Sequence, residues 1–200
     1  MVDQNKLGPL LWSNFSQLRG TEAAALIEFA VALPLLVVLV VGIFDFGGAF
    51  NLKQELNNAV REGAVFGATQ PTNDLLSAST PQSVDAVRYL VASYLLAARI
   101  NDCGLSTMPP QASGGGQIWV YSTTGTCSNQ LQLTIQRPCT APLCPFAIGT
   151  TLPNTYMPST YVKISYPYKW HFNNVIQLLV PGAHYLLTSI TTDATAANIN

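Results

Sequence analysis

The 200-residue sequence predicts an α+β protein in which a long N-terminal transmembrane helix continues into a head built from a second helix and a small antiparallel β-sheet. Three patterns carry this reading. Sixteen uncharged, almost wholly apolar residues run unbroken from Phe29 to Phe44, valines and leucines recur at helical spacing after Pro81, and apolar residues alternate with polar ones in the C-terminal half.

Residues 1–22 form a leader in which Leu7, Leu10, Leu11, Phe15 and Leu18 fall at roughly helical spacing, compatible with the inner membrane surface or with disorder. The apolar run that follows spans only ~24 Å as a helix, short of a ~30 Å hydrocarbon core. The crossing segment therefore borrows neighbours and is expected over residues 23–50, within a helix from about Thr21 to Gly67. This puts Glu28 at or inside the membrane boundary, where a mid-depth carboxylate costs about 2.5–3.5 kcal/mol and such groups take a partner. Asp45 is expected to mark the outer boundary. Pro34 is a kink position, since it removes one backbone donor without ending a membrane helix. Beyond the run, Phe50, Leu56, Ala59, Val60, Gly63 and Phe66 form a stripe suited to burial, with Lys53, Glu55, Arg61 and Glu62 on the wet side.

After a turn at 70–73, Val84, Val87, Val91, Tyr94, Leu95 and Ala98 predict a helix over Pro81–Asn101, with Thr80 as N-cap and Pro81 at the first helical position. A loop over 102–116 leads to strands marked by Ile118 and Val120, by Leu131, Leu133 and Ile135, and by Val162, Ile164 and Tyr166. The Pro- and Thr-rich interval 138–158 reads as a surface loop. A last strand is expected over Tyr185–Thr192, followed by a polar tail.

Composition narrows the function. One head plus an anchor fills 200 residues, so the expected division is leader 1–22, membrane segment 23–50 and head 51–200. With 10% charged residues, a formal charge of -1 and no basic cluster, the chain lacks the electrostatic footprint of a nucleic-acid binder. Cys103, Cys127, Cys139 and Cys144 all follow the apolar run, which predicts an oxidising compartment and two disulfides. Three pairings are open; Cys139 with Cys144 and Cys103 with Cys127 are the most economical. A zinc site is disfavoured because there is no CxxC pair and His171 and His184 stand apart from the cysteines. Lys6 and Arg19 before the segment nearly balance Lys53 and Arg61 after it, and the cysteines break this tie by putting the C-terminal part outside. No G-x-S-x-G or H-E-x-x-H motif occurs, and no nucleophile has a plausible base, so neither catalysis nor a cofactor is expected.

The run Arg19-Gly20, Glu28-Phe29-Ala30, Leu33-Pro34-Leu35-Leu36, Gly42-Ile43-Phe44-Asp45-Phe46-Gly47 and Asn57-Asn58-Ala59-Val60-Arg61-Glu62-Gly63-Ala64 resembles the TadE-like family of tight-adherence pilus assembly proteins. The resemblance covers about residues 19–67. It implies a pilin-like fold and a minor pilin or pseudopilin of a bacterial Flp-type pilus. The protein would sit in the inner membrane by a single pass, N-terminus cytoplasmic and head periplasmic, with other pilin-like subunits and the assembly machinery as partners. It further implies trimming by a prepilin peptidase, either between Ala23 and Ala24, which leaves Glu28 at the fifth position, or between Gly20 and Thr21, which leaves it at the eighth. A freed α-amine near lipid is a cation, and Glu28 of a neighbouring subunit beside Phe29 would compensate it, setting the stagger between packed helices. The plainer reading leaves Glu28 hydrated among headgroups.

Other readings compete with this one. An anchored surface-binding module or tip adhesin would need an exposed recognition face, and the D-x-S-x-S motif of metal-dependent adhesion domains is absent. A long signal peptide cut near Gly47-Gly48-Ala49 would not need so long an apolar run or a helix pattern that continues past the cut. Helix dimerisation is not indicated, since no GxxxG pair lies in the apolar run. Tyr161, Tyr166, Tyr168 and Trp170 interleave with Lys163 and Lys169, and strand packing accounts for them best.

Overall fold

A computed structural model describes residues 21–76, 81–109, 117–127, 129–139, 158–170, 177, 182 and 188–199. The leader up to Gly20, Thr80, Cys144, His171 and His184 lie outside the described residues, as does the side chain of Cys139. Helix α1 is Thr21–Thr69, α2 is Gln82–Ala97, and the strands are β1 Ile118–Thr123, β2 Leu131–Cys139, β3 Ser159–Pro167 and β4 Ser189–Ala197. Short 3-10 turns occupy Asn73–Leu76 and Leu105–Thr107. The chain divides into two units, residues 1–45 with 171–184 and residues 46–170 with 185–200. In the first unit the description covers α1 as far as Asp45, together with Gln177 and Gly182.

The second unit contains the sheet, an antiparallel meander in the order β1-β2-β3-β4. Its register aligns inward residues into rows: Trp119, Ile135, Val162 and Ala194 in one, Tyr121, Leu133, Ile164 and Thr192 in the next. The β1 expectation is thereby corrected. Ile118 and Val120 were expected to face inward, but Trp119 and Tyr121 are the buried pair and Val120 faces out. Four apolar residues stand consecutively here, so both phases of a two-residue repeat fit, and only the partner strand decides between them.

The last strand also differs from expectation, ending at Ala197, five residues past the predicted end at Thr192. Its inward residues, Ile190, Thr192, Ala194 and Ala196, are mostly small or polar, and the nine-residue ladder with β3 rather than hydrophobic alternation holds it. Pro138 and Cys139, expected in a loop, close β2, where Cys139 pairs with Ser159.

Both helices pack into the same core as the sheet. From α1 come Leu56, Ala59, Val60 and Ala64, and from α2 come Val84, Val87, Val91, Ala92 and Leu95. Gly63 and Gly67 permit this approach. A Cβ at Gly63 would lie 2.7 Å from Val91 Cγ2, and one at Gly67 would lie 2.6 Å from Thr160 Cγ2 and 3.1 Å from Val87 Cγ2. Phe50 departs from the expected stripe: it is 62% exposed, one position beyond the buried Ala49.

The start of α2 is a further correction. Pro81 is the extended N-cap rather than the first helical residue. The capping acceptor comes from outside the helix: Ser83 donates its backbone N–H to Asp74 Oδ2 (2.9 Å) and its hydroxyl to Asp74 Oδ1 (3.0 Å). At the other end α2 stops at Ala97, short of Asn101. Arg99 takes a left-handed φ of 59°, with Ile100 N–H bonded to Leu95 O and Arg99 N–H to Leu96 O, the Schellman pattern. The chain then enters a turn closed by a Cys103–Cys127 disulfide, with Cα atoms 5.3 Å apart.

Candidate functional site

The membrane-proximal candidate residues all lie on the first half of α1. From Ala24 to Phe44 no residue is buried, and Leu35, Leu36, Val37, Leu39 and Val40 present apolar surface on every side of the helix. A helix apolar all round belongs in an apolar surround, whereas one lying on a soluble core carries a single apolar stripe. Among the described residues α1 is the one helix long and apolar enough to cross a membrane. Glu28 and Phe29 are exposed on this surface, Glu28 being the one charged residue between Ala24 and Phe44. Pro34 lies inside the helix, which continues through it. Asp45, directly after the exposed apolar run, is a buried carboxylate, 5% exposed and engaged in a polar interaction.

Beyond Asp45 the character of α1 changes from large exposed side chains to small buried ones. Ala49, Leu56, Ala59, Val60, Gly63, Ala64, Gly67 and Ala68 are buried at three- and four-residue intervals, and Lys53, Arg61 and Glu62 are exposed. Residues 23–65 match the family model described as TadE-like protein. Over those residues α1 is similar to TadE-like proteins. The match takes in both the exposed apolar half of α1 and most of the small-residue stripe, and it ends before α2 and the sheet begin. No curated protein and no solved structure matches the chain. The TadE-like match connects the protein with the assembly of tight-adherence pili.

Behind the TadE-like helix, the head holds two buried cations that the sequence reading missed. Arg88 of α2 donates Nε–H to Asp85 Oδ1 at 2.7 Å and Nη1–H to the carbonyls of Leu105 (2.6 Å) and Ser106 (3.1 Å), with its guanidinium carbon 5.7 Å from the Tyr121 ring centre. Arg137 of β2 is fully buried. Its Nε–H reaches Thr160 Oγ1 (3.1 Å), whose hydroxyl donates to Asn198 Oδ1 (2.8 Å), and its Nη2–H reaches the carbonyl of Gln70 at the end of α1 (2.9 Å). Burial lowers the Arg137 pKa, and the charge of Asp74 opposes that shift. Both arginines neutralise backbone carbonyls at element ends, a fastening role. Arg88 could have been noticed, because it sits on the stripe of Val84, Val87 and Val91.

The other titratable groups behave likewise. Asp102 closes its own turn by accepting from Gly104 and Ser106 N–H. Burial pushes its pKa up, but the hydrogen bonds from Ser106 and Gly104 outweigh burial and hold it below the usual carboxylate value. Tyr166 is a packing residue whose hydroxyl donates to Asn101 O at 2.8 Å. Tyr168 and Trp170 instead form an edge-to-face pair (4.9 Å) that continues to Phe46 of α1 (5.3 Å).

Proposed function

We propose that the protein is a membrane-anchored minor pilin or pseudopilin that takes part in assembling or initiating a Flp-type pilus through lateral packing of α1 with the helices of other pilin-like subunits. The observation that carries this reading is the TadE-like match lying on a helix whose first half exposes apolar residues all round while its second half is buried in a head. In this reading residues 23–50 cross the inner membrane, the head from 51 onward faces the periplasm, where the Cys103–Cys127 bond persists, and Pro34 bends the crossing segment. A prepilin peptidase trims the leader at Ala23–Ala24 or at Gly20–Thr21. Glu28, beside Phe29, then pairs with the new α-amine of a neighbour. Each of these charges is costly alone in lipid, and as a pair they fix register.

The test is a Glu28→Ala variant expressed with the partner pilins. Membrane insertion is expected to be unchanged while co-purification with those partners is lost, and retention at the wild-type level would sink the pairing. Intact mass from native membranes checks the trimming separately, since a mass equal to the full chain refutes it.

A further inference from the structure

An open groove of about 460 Å³ lies on the second unit, between α1 and the ends of β3 and β4. Phe46, Ala49, Phe50 and Lys53 supply one wall, and Trp170, Ser189, Ile190 and Thr191 the other. Two of its aromatic rings are largely uncovered, Phe46 at 52% and Phe50 at 62% exposure, although Phe46 and Trp170 are stacked edge to face. Uncovered phenylalanine rings are unfavourable on a wet head. Their place along the helix gives a physical reason for them.

The all-round apolar surface ends at Phe44. At 1.5 Å per residue, Phe46 and Phe50 lie about 3 and 9 Å further along α1, and Lys53 about 14 Å. A bilayer has about 5–8 Å of headgroup and glycerol layer outside each face of its ~30 Å core. Phe46 therefore falls in that layer and Phe50 at its outer edge, while Lys53 lies roughly 6 Å beyond, a gap its flexible stem spans so that its ammonium can reach down to phosphate. Tryptophan favours this layer, and phenylalanine serves on the apolar face of segments that lie in it beside cations.

We propose that this groove is a membrane-interface seat, filled by the glycerol and upper acyl region of a phospholipid whose phosphate is met by Lys53. It rests on the reading of α1 as a membrane anchor. The groove then fixes how deeply the chain sits, through contacts at Phe46, Phe50 and Trp170 rather than through the length of the apolar run alone.

The experiment uses the full chain in phosphatidylethanolamine–phosphatidylglycerol vesicles, with plain lipids or lipids brominated at shallow or at deep acyl carbons. Tryptophan emission of the native protein is compared with that of Trp170→Phe. The expected result is quenching by the shallow bromines that exceeds the deep ones and disappears in Trp170→Phe. Equal Trp170-dependent emission in plain and brominated lipids, with the protein still in the vesicle pellet, overturns the seat but leaves the anchor standing. Emission that instead changes with the protein-to-lipid ratio assigns the groove to a second copy and also overturns it. Recovery of the protein in the supernatant refutes the anchor itself, and the seat with it.

Discussion

If Gly63 and Gly67 are there to let α1 meet α2 and β3, the same substitution must have opposite consequences at different points of one helix. Glycine inside a helix is less favourable than alanine by about 1 kcal/mol, so Gly→Ala at an unobstructed position stabilises by that amount. Gly47 is such a position, with nothing within 4 Å of an added Cβ. At Gly67 the added carbon would lie 2.6 Å from Thr160 Cγ2 and 3.1 Å from Val87 Cγ2, against the ~3.5–4.0 Å of a relaxed carbon contact. Both neighbours are β-branched, and a branched Cβ has few rotamers to retreat into. Overpacking of this kind costs about 1–3 kcal/mol. The propensity gain is common to both sites, so Gly67→Ala should be less stable than Gly47→Ala by about 1–3 kcal/mol. For a head of this size that separates their melting midpoints by roughly 4 °C per kcal/mol. Chemical unfolding of the full chain in detergent, followed by the emission of the buried Trp119, reads the difference. Equal stability of the two variants would refute the packing of α1 against Val87 and Thr160.

Removing the Cys103–Cys127 bond, which closes a loop of 24-residue separation, should lower stability by about 3–4 kcal/mol on the chain-entropy account, measured as the shift in urea midpoint of Cys103→Ser/Cys127→Ser. Burial, aided by the charge of Asp85, pushes the Tyr121 hydroxyl up to about 12. The folded-state value is raised above the unfolded one near 10, so this stabilisation is complete below pH 10 and disappears as pH rises to 12. It amounts to on the order of 2–3 kcal/mol, and the alkaline decline should flatten in Tyr121→Phe. Arg88→Met leaves the carbonyls of Leu105 and Ser106 without their donor and should destabilise by about 2–5 kcal/mol, seen in the same unfolding assay.

The parts of this fold that could be read in the residues are those in which one element's chemistry suffices. The apolar run dictates α1, and the valines of α2 and the alternation of β2 and β3 repeat at the period of their own structure. What could not be read depended on a second element. Whether Trp119 or Val120 faces inward is decided by Ile135 and Val162 across the sheet. The cap of α2 is Asp74, nine residues before Ser83, and no local pattern links them. The second half of the last strand, from Asp193 to Ala197, looks like a polar tail because its inward positions are alanines, yet Thr192 donates to Asn57 of α1 at 3.2 Å and Ile199 N–H reaches Ala68 O at 3.4 Å. Large side chains there would hold the helix away.

A further consequence concerns the division of labour within α1. The closest approaches of α1 in the head are at Gly63 and Gly67, where an added Cβ would meet β-branched neighbours, beside Leu56, Ala59, Val60 and Ala64 of the core. The exposed half uses leucine, valine and phenylalanine. Close packing by small residues is specific to one shape, because every added methyl collides with a defined atom, whereas a uniformly large apolar surface fits lipid or any helix of similar chemistry. Shape in the exposed half therefore does little to select a partner or a register. In the proposed assembly role that task would fall to the groups that break the apolar uniformity, Glu28 and Pro34. Arg137 supports the other half of this division: its Nη2–H holds the carbonyl of Gln70, just past the end of α1, while its Nε–H holds Thr160 of β3. The head is thereby fastened to the end of α1 through residues of its own.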